Sequence, residues 1–444
     1  MDTEHAYNQA LDYLYAFIDY SLKKSSELAR AHFELGRMRE LLALLGDPQE
    51  RYPIIHVAGT KGKGSTSALA AGALQAAGYR TGLYSSPHLQ DFVERIRLDG
   101  QPISHSELAE LVEQVKSAVG RVPKLTTFEI TTAIGLLCFA QQKVNAAVIE
   151  VGLGGRLDAT NVVRPRVSVI TSISYDHMAV LGNTLTLIAG EKAGIIKEGV
   201  PVVSSPQKDE AWVVLERIAK ERHAPLTLVG REVEFEIVDR SLDGQTLTIV
   251  NRQWSNVNRK SVILRIPLLG DHQVVNAVTA YAALRTSGLD ISDEAIRQGF
   301  EEVSWPCRFE VARREPPVVF DSAHNVDSFE KLAQTVDYYF PNHRVILIFG
   351  ASEDKDVAGM LAHLKSRLDY LLAVTADHPR ALGTGQIVET ASKLGVRVEA
   401  AASTEAALER ALELSEKGGQ VVLSAGSMFV TAEVKTAWEK RARD

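Results

Sequence analysis

Apolar residues recur at helical spacing along the first part of the chain. They run from residue 7 to residue 45 through LDYLYAFIDYSL and FELGRMRELLALLG, and Gly46 and Pro48 end the run. An amphipathic helix places its apolar residues three and four positions apart, so this stretch predicts helices. The next segment, YPIIHVAGTKGKGST, contains a short β-branched strand, a glycine-rich loop and the start of a helix. That order is typical of an α/β fold.

Later apolar runs predict buried parallel strands. VNAAVIEVGLGG and RVSVITSIS are rich in β-branched residues, as strands covered on both faces are. A helix-rich segment, residues 108–141, separates the first of them from the glycine-rich loop. Between residues 232 and 267, apolar and polar residues alternate on both sides of an Asp-Gly turn, as in EFEIVDRSLDGQTLTIV. This pattern predicts antiparallel hairpins. A helix over residues 273–285 follows.

A second set of strand-then-loop units ends the chain. These units are PPVVFDSAHN, RVILIFGASEDKD, YLLAVTADHPR and QVVLSAGSMFV, and helical stretches separate them. We therefore expect an α/β protein of two domains. Residues 1–303 would hold a mainly parallel sheet with a small antiparallel part, and residues 304–444 a smaller Rossmann-like domain. The hinge is expected near Trp305 and Pro306.

Composition and charge exclude several classes of protein. The 444 residues allow two or three domains, and 45% hydrophobic with 24% charged residues is ordinary for a folded globular protein. Lys and Arg number 49 against 56 Asp and Glu, a net charge of −7. Such a chain has no general attraction for nucleic acid or for an anionic membrane, so we expect neither as a partner. Any phosphate contact must be a local site.

Cysteine usage and the N-terminus indicate the compartment. Cys138 and Cys307 cannot build a disulfide framework, which fits a reducing environment. The N-terminus lacks the positive start and apolar run of a signal peptide. No uncharged apolar stretch of roughly 18 residues occurs, so we expect a cytoplasmic protein.

The glycine-rich loop is the first candidate site. It follows the strand at residues 54–57 and leads into a helix, which is the context that a phosphate-binding loop requires. Backbone N–H groups would close round the phosphates and a lysine would reach the terminal ones. The usual spacing is not met in full, so a glycine-rich turn with solvated lysines is the alternative. The candidate residues are Gly59, Thr60, Lys61, Gly62, Lys63, Gly64, Ser65 and Thr66.

Other polar residues follow neighbouring strands, where open α/β sheets place ligands. Ser86 could offer a hydroxyl to Mg²⁺, Glu150 ends VNAAVIE, and His177 follows the unit at residues 167–174. Each residue also has a non-functional interpretation. Ser86 could be a turn residue, Glu150 a solvated acid and His177 a structural histidine. Lys192 lies in a predicted helix, where residue type alone makes it a solvated lysine.

In the second domain, two short segments carry polar candidates. Asp321 and His324, in DSAHN, follow a strand and could orient a nucleotide, a metal or a substrate amine. Arg308 lies at the predicted domain junction, where it could stabilise charge on a phosphoryl group.

Together these segments resemble the folylpolyglutamate synthase and dihydrofolate synthase family, a branch of the Mur ligases. The resemblance extends from Gly59 to Val430 and implies a Mur-ligase-type P-loop ATPase domain over residues 1–303, followed by a C-terminal glutamate-ligase domain. The segments that carry it, in order, are GTKGKGS, SSPHL, ERIRLDG, EVGLGGRLDATN, SISYDHMAVLG, TLTLIAGEKAGIIK, LLGDHQVVNA, WPCRFE, DSAHN and GSMFV.

The resemblance also assigns roles. It places the nucleotide's phosphates on the glycine-rich loop, makes Ser86, Glu150 and His177 ligands of Mg²⁺, and implies that Lys192 is carbamylated to bind a second Mg²⁺. The residues that match the family's nucleotide-binding and interdomain positions are Asn276, Arg308, Asp321 and His324. The implied catalytic set is Lys63, His177, Lys192, Arg308, Asp321 and His324.

Three positions depart from the family pattern. Lys61 stands where the family more often has asparagine, and adds a cation beside the phosphates. Cys307 and Ser322 stand where glycine is usual, and are expected to tighten the backbone next to Arg308 and Asp321.

The implied reaction is ATP-dependent addition of L-glutamate to a folate, and also to dihydropteroate, through an acyl phosphate. We expect a monomer. A peptidoglycan-type Mur ligase is one alternative, but only 58 residues precede Gly59, which is short for its UDP-sugar domain. A non-enzymatic nucleotide-dependent switch is another, although it would have no use for the metal-binding residues.

Overall fold

The computed structural model describes residues 2–19, 33–251 and 261–441, which form two compact units. The first unit comprises residues 1–239, 246–267 and 273–303. The second comprises residues 240–245, 268–272 and 304–444, so two short segments from the middle of the chain group with the C-terminal part. The division into functional domains at residues 303 and 304 stays a prediction.

The first unit contains an eight-stranded sheet in the order β4-β3-β2-β5-β1-β6-β7-β8. From β2 to β8 all neighbours are parallel, and β3 and β4 extend one edge in antiparallel fashion. The strands are β1 (Ile54–Ala58), β2 (Thr81–Tyr84), β3 (Ile96–Leu98), β4 (Gln101–Pro102), β5 (Ala146–Glu150), β6 (Val167–Ile170), β7 (Val202–Ser204) and β8 (Leu226–Leu228).

Helices cover this sheet, and every residue of β1, β5 and β6 is buried. The β-branched runs that predicted these strands are therefore the centre of the core. The helices up to residue 301 are α1 (Thr3–Tyr15), α2 (Gly36–Leu44), α3 (Lys63–Ala76), α4 (His105–Val119), α5 (Thr127–Gln141), α6 (Met178–Leu181), α7 (Leu185–Ala193), α8 (Asp209–Glu221), α9 (Asp271–Thr286) and α10 (Asp293–Glu301). Short 3₁₀ turns lie at Pro48–Glu50, Phe92–Arg95 and Ala159–Val162.

A separate three-stranded sheet, in the order β11-β10-β9, contains the segment predicted as hairpins. Leu242 and Asp243 join its first two strands, at the Asp-Gly turn of the sequence. Residues 252–260 of the predicted hairpin region, and residues 20–32 of the predicted N-terminal helical run, lie outside the described residues. The strands are β9 (Val233–Ser241), β10 (Gly244–Asn251) and β11 (Ser261–Ile266).

The second unit has a six-stranded sheet in the order β12-β13-β17-β14-β15-β16, parallel except for β12 at one edge. Phe329 and Phe349 pack edge to face in its core. The strands are β12 (Glu310–Arg314), β13 (Pro317–Phe320), β14 (Val345–Phe349), β15 (Leu368–Ala373), β16 (Val398–Ala400) and β17 (Val421–Ala425). The helices are α11 (Val326–Tyr339), α12 (Val357–Leu364), α13 (Thr384–Lys393), α14 (Thr404–Gly418) and α15 (Met428–Arg441).

The predicted fold class is confirmed, with one correction that concerns the site. The strand unit predicted over residues 167–174 forms a strand only over Val167–Ile170. Beyond it, the carbonyl of Ser172 accepts hydrogen bonds from Thr60 and Lys61 of the glycine-rich loop, so these residues serve that loop rather than the sheet. Within the described ranges, no helix is long and apolar enough to span a membrane.

A polar cluster ties α1 to α4 and to the turn before the Phe92–Arg95 helix. Oη of Tyr7 donates to Oδ1 of Asp91 over 2.5 Å, and the Tyr7 and His105 rings stack with centroids 3.7 Å apart. Nε2 of His105 lies 2.7 Å from Oδ2 of Asp91, and its Nδ1 lies 2.8 Å from Glu4. The hydrogen bond to Asp91, followed by the one to Glu4, raises the pKa of His105.

We expect this cluster to stabilise the protein less as the pH rises. Because the pKa of His105 is higher in the folded chain than in the unfolded one, its contribution is complete below about pH 6.5 and disappears above the raised value. The free energy of unfolding in urea should be measured for wild type and His105→Gln at several pH values. Plotted against pH, the two free energies should converge on the alkaline side. His223→Gln, which alters an exposed pair with Glu198, is the control. A stability difference that does not change with pH would contradict the expectation.

Candidate active site

The glycine-rich loop needs glycine at two positions. It joins β1, at the centre of the sheet, to the start of α3. Gly59 has φ of +152° and a Cβ there would lie 1.8 Å from Oγ1 of Thr171. Gly62 has φ of +86° and a Cβ there would lie 2.1 Å from Oδ1 of Asn276. Asn276, predicted at a nucleotide position, therefore lies directly against the loop.

The start of α3 has the features of an anion site. Its N-cap, Gly62, offers no side chain to cap the helix. Oγ1 of Thr66 is buried and has no hydrogen-bond partner among the described residues. The N–H groups and dipole of a helix N-terminus favour negative charge. The loop thus fits the phosphates of a nucleotide.

Lys63, Glu150 and Ser86 converge at this loop. Nζ of Lys63 lies 3.9 Å from Oε1 of Glu150, and the backbone N–H of Ser86 donates to Oε2 of Glu150 over 3.3 Å. Parallel strands produce this convergence, because β5 ends at Glu150 between β2, which precedes Ser86, and β1, which precedes Lys63.

Carboxylate and hydroxyl oxygens are the donors that Mg²⁺ prefers, so Ser86 and Glu150 fit the predicted metal. Within the described part of the chain, no group of three His, Cys, Asp or Glu side chains could hold an ion. A metal here would therefore depend on the serine hydroxyl and on substrate oxygens as well.

His177 lies beside an ion pair that involves the glycine-rich loop. Nζ of Lys61 is 3.0 Å from Oδ2 of Asp176, and Nε2 of His177 is 4.0 Å from Oδ1 of the same carboxylate. His177 precedes the short helix α6 with φ of 48°. The structure thus places the predicted ligand His177 at the Lys61 side of the loop.

Lys192 corrects the expectation of a solvated helix lysine. Its side chain is buried, with 4% of the residue exposed, and its Nζ donates to the carbonyl oxygen of Gly59 over 2.8 Å. Burial, followed by repulsion from Lys63, lowers the pKa of Lys192 to about 7. Residue type alone did not indicate this, although Lys192 lies at helical spacing from the buried Ile188 and Ala189. Its hydrogen-bond partner belongs to a loop more than a hundred residues away.

Sequence reasoning missed Asp158. This buried carboxylate accepts hydrogen bonds from the backbone N–H groups of Leu153 and Thr160, over 2.8 and 3.0 Å. Burial raises the pKa of Asp158, and Lys63 partly opposes that shift. Through its hydrogen bond to Leu153, Asp158 holds the Gly-Leu-Gly-Gly segment, residues 152–155, beside the site. An aspartate immediately before a short helical turn was the available signal.

In the second unit, Arg308 lies between two residues of unusual backbone conformation. Cys307 has φ of 56° and Phe309 has φ of 50°. Both values are costly for residues with a Cβ and occur mainly where surrounding contacts enforce them. Nη1 of Arg308 donates to Oγ of Ser322 over 2.9 Å and to the carbonyl of Cys307 over 3.0 Å. The departure at Ser322 therefore contributes its hydroxyl to holding Arg308, whereas the Cys307 contact is a backbone carbonyl that glycine would also supply.

Asp321 and His324 are fixed by local hydrogen bonds. The carboxylate of Asp321 accepts from the N–H groups of Phe309 and Ala323, over 2.8 and 2.7 Å. Nδ1 of His324 donates to the carbonyl of Ser322 over 2.8 Å, which fixes the orientation of the ring. Asp321 thus holds the turn that carries Arg308.

The fold and site define a phosphate-loop enzyme built from two α/β units. Residues 57–284 match the Mur ligase middle domain, and residues 307–428 match the Mur ligase, glutamate ligase domain. Enzymes with this pair of domains are ATP-dependent ligases.

Known proteins narrow the assignment. Dihydrofolate synthase/folylpolyglutamate synthase of Bacillus subtilis is 35% identical over 440 residues, which cover 97% of this chain and 98% of that protein. The solved structure of Mycobacterium tuberculosis folylpolyglutamate synthase complexed with ADP has a TM-score of 0.87 at 32% identity, and Escherichia coli FolC in complex with DHPP and ADP has 0.84 at 33%. Each alignment covers 98% of both chains. The chain belongs to the dihydrofolate synthase/folylpolyglutamate synthase family of Mur ligases.

Proposed function

We propose that this ligase joins L-glutamate to a carboxylate of folates, and also of dihydropteroate, and converts one ATP to ADP and phosphate for each amide formed. The observation that carries the proposal is the phosphate loop with Lys63 facing Glu150, in a chain of this family. We further propose that it acts as a monomer in the cytoplasm. The two described cysteines are free and buried, which suits a reducing compartment.

In the first step, a substrate carboxylate oxygen attacks the γ-phosphorus of ATP. A bond forms between that oxygen and phosphorus, the bond to the β-phosphate oxygen breaks, and ADP leaves. The loop of residues 59–66 would hold the phosphates mainly through backbone N–H groups at the start of α3, because those of Thr60 and Lys61 already donate to Ser172. The ammonium group of Lys63 would face the transferring phosphoryl group. Such catalysis is mainly alignment and charge stabilisation.

Ser86, Glu150 and His177 are the residues that would hold Mg²⁺. When bound, Mg²⁺ supplies positive charge to the phosphate oxygens. We also propose that Lys192 forms a carbamate, in which its neutral amine bonds to the carbon of CO₂ and loses a proton. That anion would help hold a second Mg²⁺. The lowered pKa of Lys192 supports this, because only an unprotonated amine can react.

In the second step, the amino group of glutamate attacks the acyl carbon, a proton leaves the nitrogen, and phosphate departs as the amide forms. We propose that Arg308 stabilises charge on the phosphoryl group and that the imidazole of His324 interacts with the amine. The carboxylate of Asp321 accepts hydrogen bonds from the N–H groups of Phe309 and Ala323, which supports a positioning role through the Arg308 turn.

Arg308→Ala should lower kcat by about 10² while leaving the melting temperature close to that of wild type, because a charge-assisted contact is lost and no core atom is removed. Arg308→Lys should recover little, since lysine lacks the planar guanidinium. Arg410→Ala, which breaks an exposed pair with Glu413, is the matched control. Equal turnover of Arg308→Ala and Arg410→Ala would remove Arg308 from the mechanism.

A product assay tests the function directly. Purified protein would receive ATP and labelled L-glutamate, with dihydropteroate and tetrahydrofolate offered separately. Labelled product from both acceptors, with one ADP released per amide, is expected. Product from tetrahydrofolate alone would restrict the enzyme to folate extension. Failure to label either acceptor would overturn the proposal.

A further inference from the structure

Lys61 and Asp176 form an ion pair beside the phosphate loop that the proposed steps do not use. Nζ of Lys61 lies 3.0 Å from Oδ2 of Asp176, and the two side chains are 20% and 7% exposed. An ion pair this shielded differs from a surface pair, because loss of one partner leaves the other charge buried. The aspartate thus depends on a cation at position 61.

The carboxylate of Asp176 connects Lys61 to His177. Its Oδ1 accepts a hydrogen bond from the backbone N–H of His177 over 3.0 Å, while Oδ2 faces Lys61. His177 has φ of 48°, a left-handed conformation that few residues with a side chain adopt without support. The Asp176 carboxylate therefore binds both the ammonium group of Lys61 and the backbone N–H of His177.

Contacts with Thr60 and Lys61 fix the first part of the segment, and the carbonyl of His177 accepts from the N–H groups of α6. The N–H groups of Thr60 and Lys61 donate to the carbonyl of Ser172, over 2.8 and 3.1 Å. Oγ1 of Thr60 donates to the carbonyl of Ser174 and accepts from its N–H, each over 3.1 Å. The Lys61–Asp176 pair continues this attachment to the residue that precedes His177.

We propose that Lys61 is a positioning residue, whose ammonium group balances Asp176 and fixes the segment that presents His177, instead of binding a phosphate. The inference rests on the proposed function, because the purpose of the arrangement is to place His177 for Mg²⁺. Without Lys61, the buried carboxylate loses a counter-charge 3.0 Å away, and the attachment of Asp176 and His177 to the glycine-rich loop is weakened.

The test uses the full chain and four variants: Lys61→Gln, Asp176→Asn, the double variant and Lys61→Arg. The Mg²⁺ concentration that gives half-maximal turnover should rise about tenfold in each neutral single variant, as it does when groups supporting a metal ligand are lost. The double variant should be no worse than either single one, because the two residues act as a unit. Lys61→Arg should restore the wild-type Mg²⁺ dependence.

Calorimetric binding of ADP supplies a readout other than activity. In EDTA, Lys61→Gln and Asp176→Asn should bind ADP as tightly as wild type, whereas both should bind it more weakly than wild type when Mg²⁺ is present. Arg217→Gln, which removes an exposed pair with Glu221, is the control and should change neither measurement.

Two results would overturn the inference. If Lys61→Gln weakens ADP binding in EDTA while Asp176→Asn leaves the Mg²⁺ dependence unchanged, Lys61 is a phosphate ligand. If the variants only lower the melting temperature, the pair is structural. A wild-type protein that makes no folyl-glutamate would refute the proposed function, and the ADP titrations would still decide how Lys61 acts.

Discussion

Lys63→Ala is expected to lower kcat/KM for ligation by a factor of about 10³ or more, or about 4 kcal/mol, with the fold intact. Lys63 opens α3 and its Nζ lies 3.9 Å from Glu150, so its charge is directed at the place where phosphates would bind. Its removal forfeits charge stabilisation of the transferring phosphoryl group and no core packing.

Lys220→Ala is the matched control, because Lys220 is an exposed helical lysine of the same unit. Both variants should keep the wild-type melting temperature, and only Lys63→Ala should lose turnover. Near-normal turnover of Lys63→Ala would remove the phosphate-loop assignment and, with it, the first step of the proposed mechanism.

Lys192→Ala is expected to lose nearly all ligase activity and to regain part of it with formate or acetate. The carboxylate would replace the carbamate oxygens in the space that the side chain vacates. In wild type, activity should fall in CO₂-depleted buffer and return with bicarbonate. Because burial lowers the pKa of Lys192 to about 7, the amine becomes protonated as the pH falls through that value, so reactivation should weaken on the acid side.

Lys197→Ala is the control for burial. Lys197 is partly buried and its pKa is lowered to about 8, yet its Nζ is bound by Asn161 and it lies outside the loop. That variant should show neither carboxylate rescue nor a response to CO₂. Mass spectrometry that finds only unmodified Lys192 under CO₂, together with no rescue, would contradict the carbamate.

Much of the fold could be predicted because its signals are local. The β-branched runs around Ile54 and Val167, and the Asp-Gly turn before β10, mark their elements within a few residues. The grouping of residues 240–245 and 268–272 with the second unit could not be predicted, since it depends on contacts with residues far along the chain.

The candidate site also contains residues that the sequence could predict and residues that only the structure shows. The glycine-rich loop and the strand-end residues Ser86 and Glu150 are visible in the sequence, because loop chemistry and the common carboxyl edge of parallel strands place them together. The support from Asp158 and the Lys61–Asp176 pair were not visible. The Lys61–Asp176 pair joins segments 115 residues apart, and no local pattern records which segment meets which. Asp158 contacts residues close to it in sequence, but the fold decides that its carboxylate is buried.

The sequence by itself determined the α/β class, the phosphate loop and, through its resemblance to a family, the type of ligase. Only the tertiary structure decided the electrostatic state of the site. Lys192 is the clearest case: its residue type alone suits a solvated lysine, but folding buries its amine against Gly59. A side chain's protonation depends on the water and charge around it, and distant parts of the chain supply both.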